Sequence, residues 1–182
     1  MVSIFSLFKK SLTRLLIFLP LMLGLLINPI SANALYPSDP SSVDGLKGDL
    51  HGKDLQNTEY VKYDLSSLDL GEANLQGAYM SVTTAKNASF KGANMQDLIA
   101  YATRFDNADL SDANLTNGEL LKSVFDGASI EGTDFTNANL DLSQRKALCS
   151  RATGKNSKTG VDTFESLECA GLKGYIPPTP KA

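Results

Sequence analysis

The chain has 182 residues, a formal net charge of −3, one His, two Cys and no Trp. That length suits one ordinary domain, and two would be cramped. One His and two Cys exclude most His- or Cys-rich metal centres and leave little from which to build a catalytic dyad. The mildly acidic balance argues against a nucleic-acid phosphate backbone as partner. These totals average three unlike segments.

Residues 1–34 hold no acidic group. Lys9, Lys10 and Arg14 form a basic start, and Leu15 to Ile27 an apolar run broken only by Pro20 and Gly24. Ala32-Asn33-Ala34 follows as an A-x-A site. These are the parts of a secretory signal peptide, expected to be cleaved after Ala34. A membrane span wants about 20 apolar residues, and this run is shorter and holds a Pro. The twin-Arg form is excluded because there is no Arg-Arg pair. The remaining 148 residues carry 14 basic and 20 acidic groups, a net of −6. They contain no other apolar run of membrane-spanning length, so no membrane contact is expected after cleavage. Residues 35–47, with Pro37, Pro40 and several Ser, read as a linker.

From Leu50 every fifth residue is an apolar centre, through Leu55, Tyr60, Leu65 and onward to Phe135 and Leu140. Nineteen consecutive units run without insertion, and 17 centres are large. A small residue stands two places before the centre in 15 units, as at Ala73, Ala78, Ala93, Ala108 and Ala113. Neither a helix nor a strand keeps such centres on one side. Five residues of α-helix advance about 500°, and an alternating strand puts successive centres on opposite faces. A chain that turns a corner after every unit does keep them together. Four units then close a square turn of 20 residues, with the centre and the small residue inward. Residues 48–142 make about 4.75 turns, a rod about 23 Å long at strand spacing.

The units Ala73-Asn74-Leu75-Gln76-Gly77, Ala108-Asp109-Leu110-Ser111-Asp112 and Ala138-Asn139-Leu140 resemble the A-(D/N)-L-x-x consensus of the pentapeptide-repeat family. The resemblance implies an all-β solenoid, a right-handed quadrilateral parallel β-helix, and no single activity.

Residues 20 apart become stacked neighbours in such a coil. Ala100 is a small centre, but Leu98 beside it is large, so volume is swapped within a corner. Thr83 and Ala85 are both small, and Tyr63 from the turn below is expected to lean into their space. The column Asp54, Asn74, Asn94, Asn114 and Asp134, with Gln56, Gln76, Gln96, Thr116 and Thr136, reads as a solvated polar face able to form amide ladders. Asp49, Asp69 and Asp109 are interrupted by Ser89, a poor cage for calcium, which wants about six to eight oxygens. No metal or other cofactor is expected.

One face differs. Around the centres Tyr60, Met80, Ala100 and Leu120, the outward positions hold Val61, Tyr79, Val82, Ile99, Tyr101, Ala102 and Leu121. Glu59, Lys62, Ser81, Glu119 and Lys122 break this cover. Contiguous apolar surface with Tyr and a charged rim suits a protein interface. Its occupant is a protein partner, a second copy, the linker or the C-terminal segment.

The period stops after Leu140. Residues 48–140 hold six basic and fourteen acidic groups, net −8; residues 141–182 hold seven and four, net +3. Asp141 with Gln144, and Asp162 with Glu165, predict helix starts, with helices near 142–151 and 163–170. Gly154, Asn156 and Gly160 punctuate the loop between them. Residues 143–182 are thus expected to form a small helical cap with a Pro-rich tail, hiding the open end of the coil. Cys149 and Cys169 fall there. In an exported chain a lone pair is most simply a disulfide, closing about 20 residues and contributing ~3 kcal/mol. A redox pair or metal ligands are the rival readings, neither with CxxC spacing. Leu148-Cys149 with Thr159-Gly160-Val161-Asp162-Thr163 and Ser166-Leu167-Glu168-Cys169 resembles the tail of thylakoid-lumenal pentapeptide proteins of cyanobacteria and plants. That resemblance implies a lumenal address, with the periplasm as alternative.

No nucleophile–base pair or phosphate-binding loop is present, and His51 is an outward surface residue, so an enzyme is not expected. The leading expectation is an exported scaffold that binds a lumenal or periplasmic protein through the apolar face. Some members of the family are DNA mimics that inhibit topoisomerases, and the acidic rod is compatible with that, though export is not. A purely structural, stress-related protein is the third reading.

Overall fold

A computed structural model describes residues 50–172. The expected signal segment 1–34, the cleavage point after Ala34, the linker 35–47 and the tail beyond Leu172 lie outside the described residues.

The five-residue period becomes a four-sided coil. Parallel β-bridges join each outward residue before a centre to the residue 20 further on, from Asp54↔Asn74 to Glu119↔Asn139. Each side is too short to be a strand of its own. Backbone hydrogen bonds between successive turns, such as Leu55 N–H to the Asn74 carbonyl at 2.8 Å, hold the stack together.

Corners explain why five residues suffice for a side. The residue two after each centre has positive φ at 18 consecutive corners, from Gly52 to Asn137. The N–H of the next residue bonds back to the centre's carbonyl, as from Ala78 to Leu75 at 3.0 Å. That combination is a type II turn, whose third residue must be left-handed. Twelve of the 18 are Gly, Asn or Asp, the residues that reach this region at least strain.

Centres fill a single-file core. Leu65, Leu70, Leu75, Met80, Met95, Leu110 and Leu115 are fully buried. Phe90, Phe105, Phe125 and Phe135 run along it, with Phe105 and Phe125 stacked at 5.2 Å. Leu98 and Ala100 are both fully buried, consistent with exchange of volume within one corner. Tyr63 is buried, its ring edge-on to Tyr60 at 6.0 Å. Burial pushes the Tyr60 hydroxyl above its ordinary pKa.

Some inward small positions do more than fit. The hydroxyls of Thr83, Thr103 and Ser123 donate to the carbonyls of Tyr60, Met80 and Ala100. Thr133 repeats the bond to Leu110 at 2.7 Å. Each hydroxyl is thereby paired inside the core, and the hydrogen bond offsets the cost of its burial.

The C-terminal segment contains α1 (Leu142–Cys149), α2 (Thr163–Ser166) and a 3₁₀ turn (Cys169–Gly171). Both helices end earlier than the expected 151 and 170. Asp162 caps α2, accepting from the backbone N–H of Phe164 and Glu165. Asp141 does not cap α1, contrary to the capping-box expectation. Its carboxylate instead accepts from the Lys122 N–H at 2.6 Å. One turn earlier the equivalent N–H, of Ala102, is taken by the Leu121 carbonyl. Asp141 therefore replaces the carbonyl that a further turn would have supplied.

Other groups at the end of the coil are met similarly. Arg151 donates to the Phe125 carbonyl at 2.6 Å, Gly132 N–H to the Thr153 carbonyl at 2.9 Å, and Phe135 N–H to the Ser166 hydroxyl at 3.0 Å. Burial lowers the Arg151 pKa from its ordinary value. Cys149 and Cys169, both buried, are joined as a disulfide with Cα atoms 5.6 Å apart.

Candidate interaction face

The apolar face is built by one side of the coil and its corner. Glu59, Tyr79, Ile99, Glu119 and Asn139 form its bridged column, one residue per turn. Tyr79, Val82, Ile99 and Tyr101 are 41, 52, 39 and 40% exposed, while Val61 and Leu121 are half-buried. The structure thus brings all six candidate residues onto four successive turns. Ser81, expected as a polar break in the cover, is buried at 7% and breaks nothing. The Lys122 ammonium lies 5.0 Å over the Tyr101 ring, a cation–π contact that holds the charge against the apolar strip. Tyr101 also holds this ammonium above its ordinary pKa. Glu119 accepts from the Asn139 amide at 2.8 Å.

The corner of this face carries a signal that the apolar count misses. Its four left-handed residues are Lys62, Val82, Ala102 and Lys122, with φ between 54 and 63°. None is Gly, Asn or Asp. They are four of only six such departures among the 18 corners. Val82 is β-branched at φ 60°, where a branched side chain is a genuine outlier. Each of these corners carries a left-handed backbone without the residue types that reach it at least strain. Grouping every fifth residue into columns of 20 reveals these departures from the sequence alone.

The C-terminal segment uses the diagonally opposite corner, Glu72, Gly92, Asp112 and Gly132. Asn156 is 1% exposed, and its amide donates to the carbonyls of Asp112, Ala113 and Gly132 at 3.0, 3.2 and 2.8 Å. Its side-chain oxygen accepts from Lys158 and Thr159 N–H at 2.9 and 2.8 Å. Ser157 N–H reaches the Asp112 carboxylate at 3.0 Å, and Lys158 the Glu72 carboxylate at 2.6 Å. Residues 156–158 thus form a strap down the rod, where the sequence suggested only a loop. Alternation of Gly with acid in that column was its signal. A Cβ on Gly92 would meet the Glu72 carboxylate at 2.2 Å. Among the described residues, those from Arg151 onward bond to the coil's end and to this opposite corner, and the apolar face stays open.

Elsewhere Leu142 is an exposed large apolar side chain, and the outer columns of the coil are mostly polar. Asn94 donates to Asn74 at 3.0 Å, and Asn117 to Asp97 at 2.9 Å, as rungs of amide ladders. Asp134, expected on the solvated face, is only 2% exposed and accepts from both Thr136 groups. His51 is exposed, 3.4 Å from Asp69. A cleft of about 240 Å³ lies between Phe135, Asn137 and Leu140 on the coil and Arg145, Ser166 and Glu168 beyond it. Among the described residues no group of three or more His, Cys, Asp or Glu is placed to hold a metal ion.

Comparison with known proteins agrees with this architecture. Residues 64–97 and 103–141 match the family model for pentapeptide repeats, in eight copies. The matched segments of the coil are pentapeptide repeats, which imply a right-handed quadrilateral β-helix. Among solved structures it is similar to a pentapeptide repeat protein (Rfr23) of the cyanobacterium Cyanothece 51142, at 29% identity and a TM-score of 0.42. That match covers 48% of this chain, which spans 64% of the other's length. A pentapeptide repeat protein from the Arabidopsis thaliana thylakoid lumen is also similar, at 29% identity and a TM-score of 0.27, over 66% of this chain and 90% of that one. QnrB1, a plasmid-mediated fluoroquinolone resistance protein, follows at 19% identity and a TM-score of 0.20, over 50% and 65%. No curated protein matches the chain.

Proposed function

We propose that this protein is an exported, non-enzymatic scaffold of the thylakoid lumen, or alternatively of the periplasm. It binds a protein through the face of Val61, Tyr79, Val82, Ile99, Tyr101 and Leu121. One observation carries the reading: at this face alone, every corner forgoes the residues its turn prefers. A rod of about 4.75 turns supplies rigidity, and residues 143–182, stapled by Cys149–Cys169, cap its end. The basic start, apolar run and A-x-A site supply the export signal.

The test is chemical crosslinking on isolated thylakoids, comparing the natural chain with Tyr79→Ser, Ile99→Ser and Tyr101→Ser combined. These side chains are about 40% exposed, so the variant should stay folded with a modest loss of melting temperature and lose its crosslinked neighbours. Unchanged crosslinks would overturn the face; loss of the folded state would show that these side chains are part of the chain's own core. The net −8 of the rod favours a second reading, a DNA mimic acting on a topoisomerase. Fractionation decides: protein found in the cytoplasm with residues 1–34 intact supports the mimic. A purely structural, stress-related role is supported if neither experiment finds a target.

A further inference from the structure

The rim of the apolar face has a pattern that specifies its occupant. The first and fourth turns of the face carry Glu59 with Lys62 and Glu119 with Lys122. The second and third carry Tyr79 with Val82 and Ile99 with Ala102. In each turn the first residue lies on the bridged column and the second on the corner, with Val61, Ser81, Tyr101 and Leu121 between. Acid at one edge, base at the other and apolar residues between make the face complementary to itself.

We propose that the occupant is a second copy of this chain, packed face to face with both rods pointing the same way. This rests on the reading of the face as a protein interface. A two-fold axis parallel to the rods, over the middle column, sets each turn opposite the same turn of the other copy and exchanges the two edges. Glu59 then meets the partner's Lys62, and Glu119 meets the partner's Lys122. The symmetry repeats both pairs, giving four. Tyr79 lies against the partner's Val82, and Ile99 against the partner's Ala102. The antiparallel alternative sets the first turn opposite the fourth without exchanging edges. Glu59 would meet the partner's Glu119, and Lys62 the partner's Lys122, so like charges would face each other at both ends. Opposing like charges select against that arrangement.

Size sets the strength. Four turns at about 4.8 Å make a patch about 15–20 Å tall. Such a face lies at the small end of specific interfaces, so the dissociation constant should be on the order of 10 μM. Exposed ion pairs contribute mainly register and direction, and added salt should weaken the dimer.

The experiment is sedimentation velocity over a concentration series, on the full chain produced in an exporting host. One variant combines Glu59→Lys with Glu119→Lys, giving a face with basic rims. Another combines Lys62→Glu with Lys122→Glu, giving acidic rims. The fold tolerates both changes: Arg104 occupies a bridged position like those of Glu59 and Glu119, and Glu72 a left-handed corner like those of Lys62 and Lys122. Melting temperatures verify this. Each variant alone should be at least tenfold weaker in self-association. Their equimolar mixture should recover a heterodimer, and the fourfold exchange in one chain should recover the homodimer. Tyr101→Ser should weaken all of these.

A natural chain that stays monomeric well above that concentration overturns the proposal, as does a dimer indifferent to the charge variants. A dimer strengthened by Glu59→Lys alone would overturn the parallel arrangement. A monomer whose thylakoid crosslinks still depend on Tyr79, Ile99 and Tyr101 would sink the self-partner and leave the interface standing. A monomer without such crosslinks would sink both.

Discussion

At the level of single residues, the clearest tension is at Val82. A left-handed backbone costs an L-residue roughly 1–2 kcal/mol, and branching at Cβ adds to that. Asn holds the equivalent corner at Asn57, Asn87, Asn107, Asn117 and Asn137. Val82→Asn should therefore stabilise the protein by about 1 kcal/mol, read as a raised denaturant midpoint at unchanged slope. The same change should weaken whatever docks on the face. A stabilised variant with full binding would show that Val82 is an accident of the corner. Residues also differ in how legible they are. The buried centres follow from period alone, because one face of a repeat has one environment. The inner hydroxyls of Thr83, Thr103 and Ser123 do not: "small" described their volume, and their bonds to carbonyls 23 residues earlier depend on three-dimensional register.

At the level of elements, the end of the coil is where local reasoning loses its grip. A repeat is predictable because each turn meets a copy of itself, and its last turn does not. Asp162 caps its helix as its sequence suggests, but Asp141 is drawn away by an unpaired N–H at Lys122. Asn156 shows the same effect more strongly. Its composition context marks a loop, but the edge of the coil offers three carbonyls that need donors. Asn156→Ala would strip those carbonyls and two backbone N–H groups of partners in a dry site. It should cost ~2–4 kcal/mol, from buried hydrogen bonds worth about 1 kcal/mol each and the penalty of leaving buried groups unmade. Hydrogen exchange would locate the loss, with faster exchange confined to 153–163 and to the last turn. A melt within a few tenths of a kcal/mol of the natural protein would show that water replaces the amide freely. The candidate face was legible as an apolar patch. Its departure from Gly, Asn and Asp at the corner is readable from the same columns, but the strain is not, because the left-handed φ of Val82 and Ala102 belongs to the backbone.

At the level of the whole molecule, two electrostatic effects oppose each other as pH falls. The repeat carries a net −8, so protonating carboxylates relieves its self-repulsion and should stabilise the rod. Against this, several carboxylates are held below their ordinary pKa by the fold. Asp106 is held there by the Arg104 guanidinium, which bonds it through two nitrogens at 2.8 and 3.0 Å. Asp64 is held by the Ser66 hydroxyl and N–H, and Asp69 by the Gly71 N–H. A lowered folded pKa means that the unfolded chain binds more protons. The stabilisation is present above the unfolded value, near pH 3.9, and is lost as pH falls through the lower folded values. The two effects differ in range. Repulsion between exposed charges on separate turns is cut off beyond about 8 Å at 0.15 M salt, whereas a hydrogen bond at contact distance within a turn is screened much less. In physiological salt the local effect should win, and the melting temperature should fall between pH 5 and pH 2. Combining Asp64→Asn, Asp69→Asn and Asp106→Asn should flatten that fall. In low salt the repulsion has longer reach, so the same acidification should lower the melting temperature less. A melting temperature that rises on acidification in 0.15 M salt would mean that the acidic rod is shaped by repulsion, and that its local turns do not govern its response to pH.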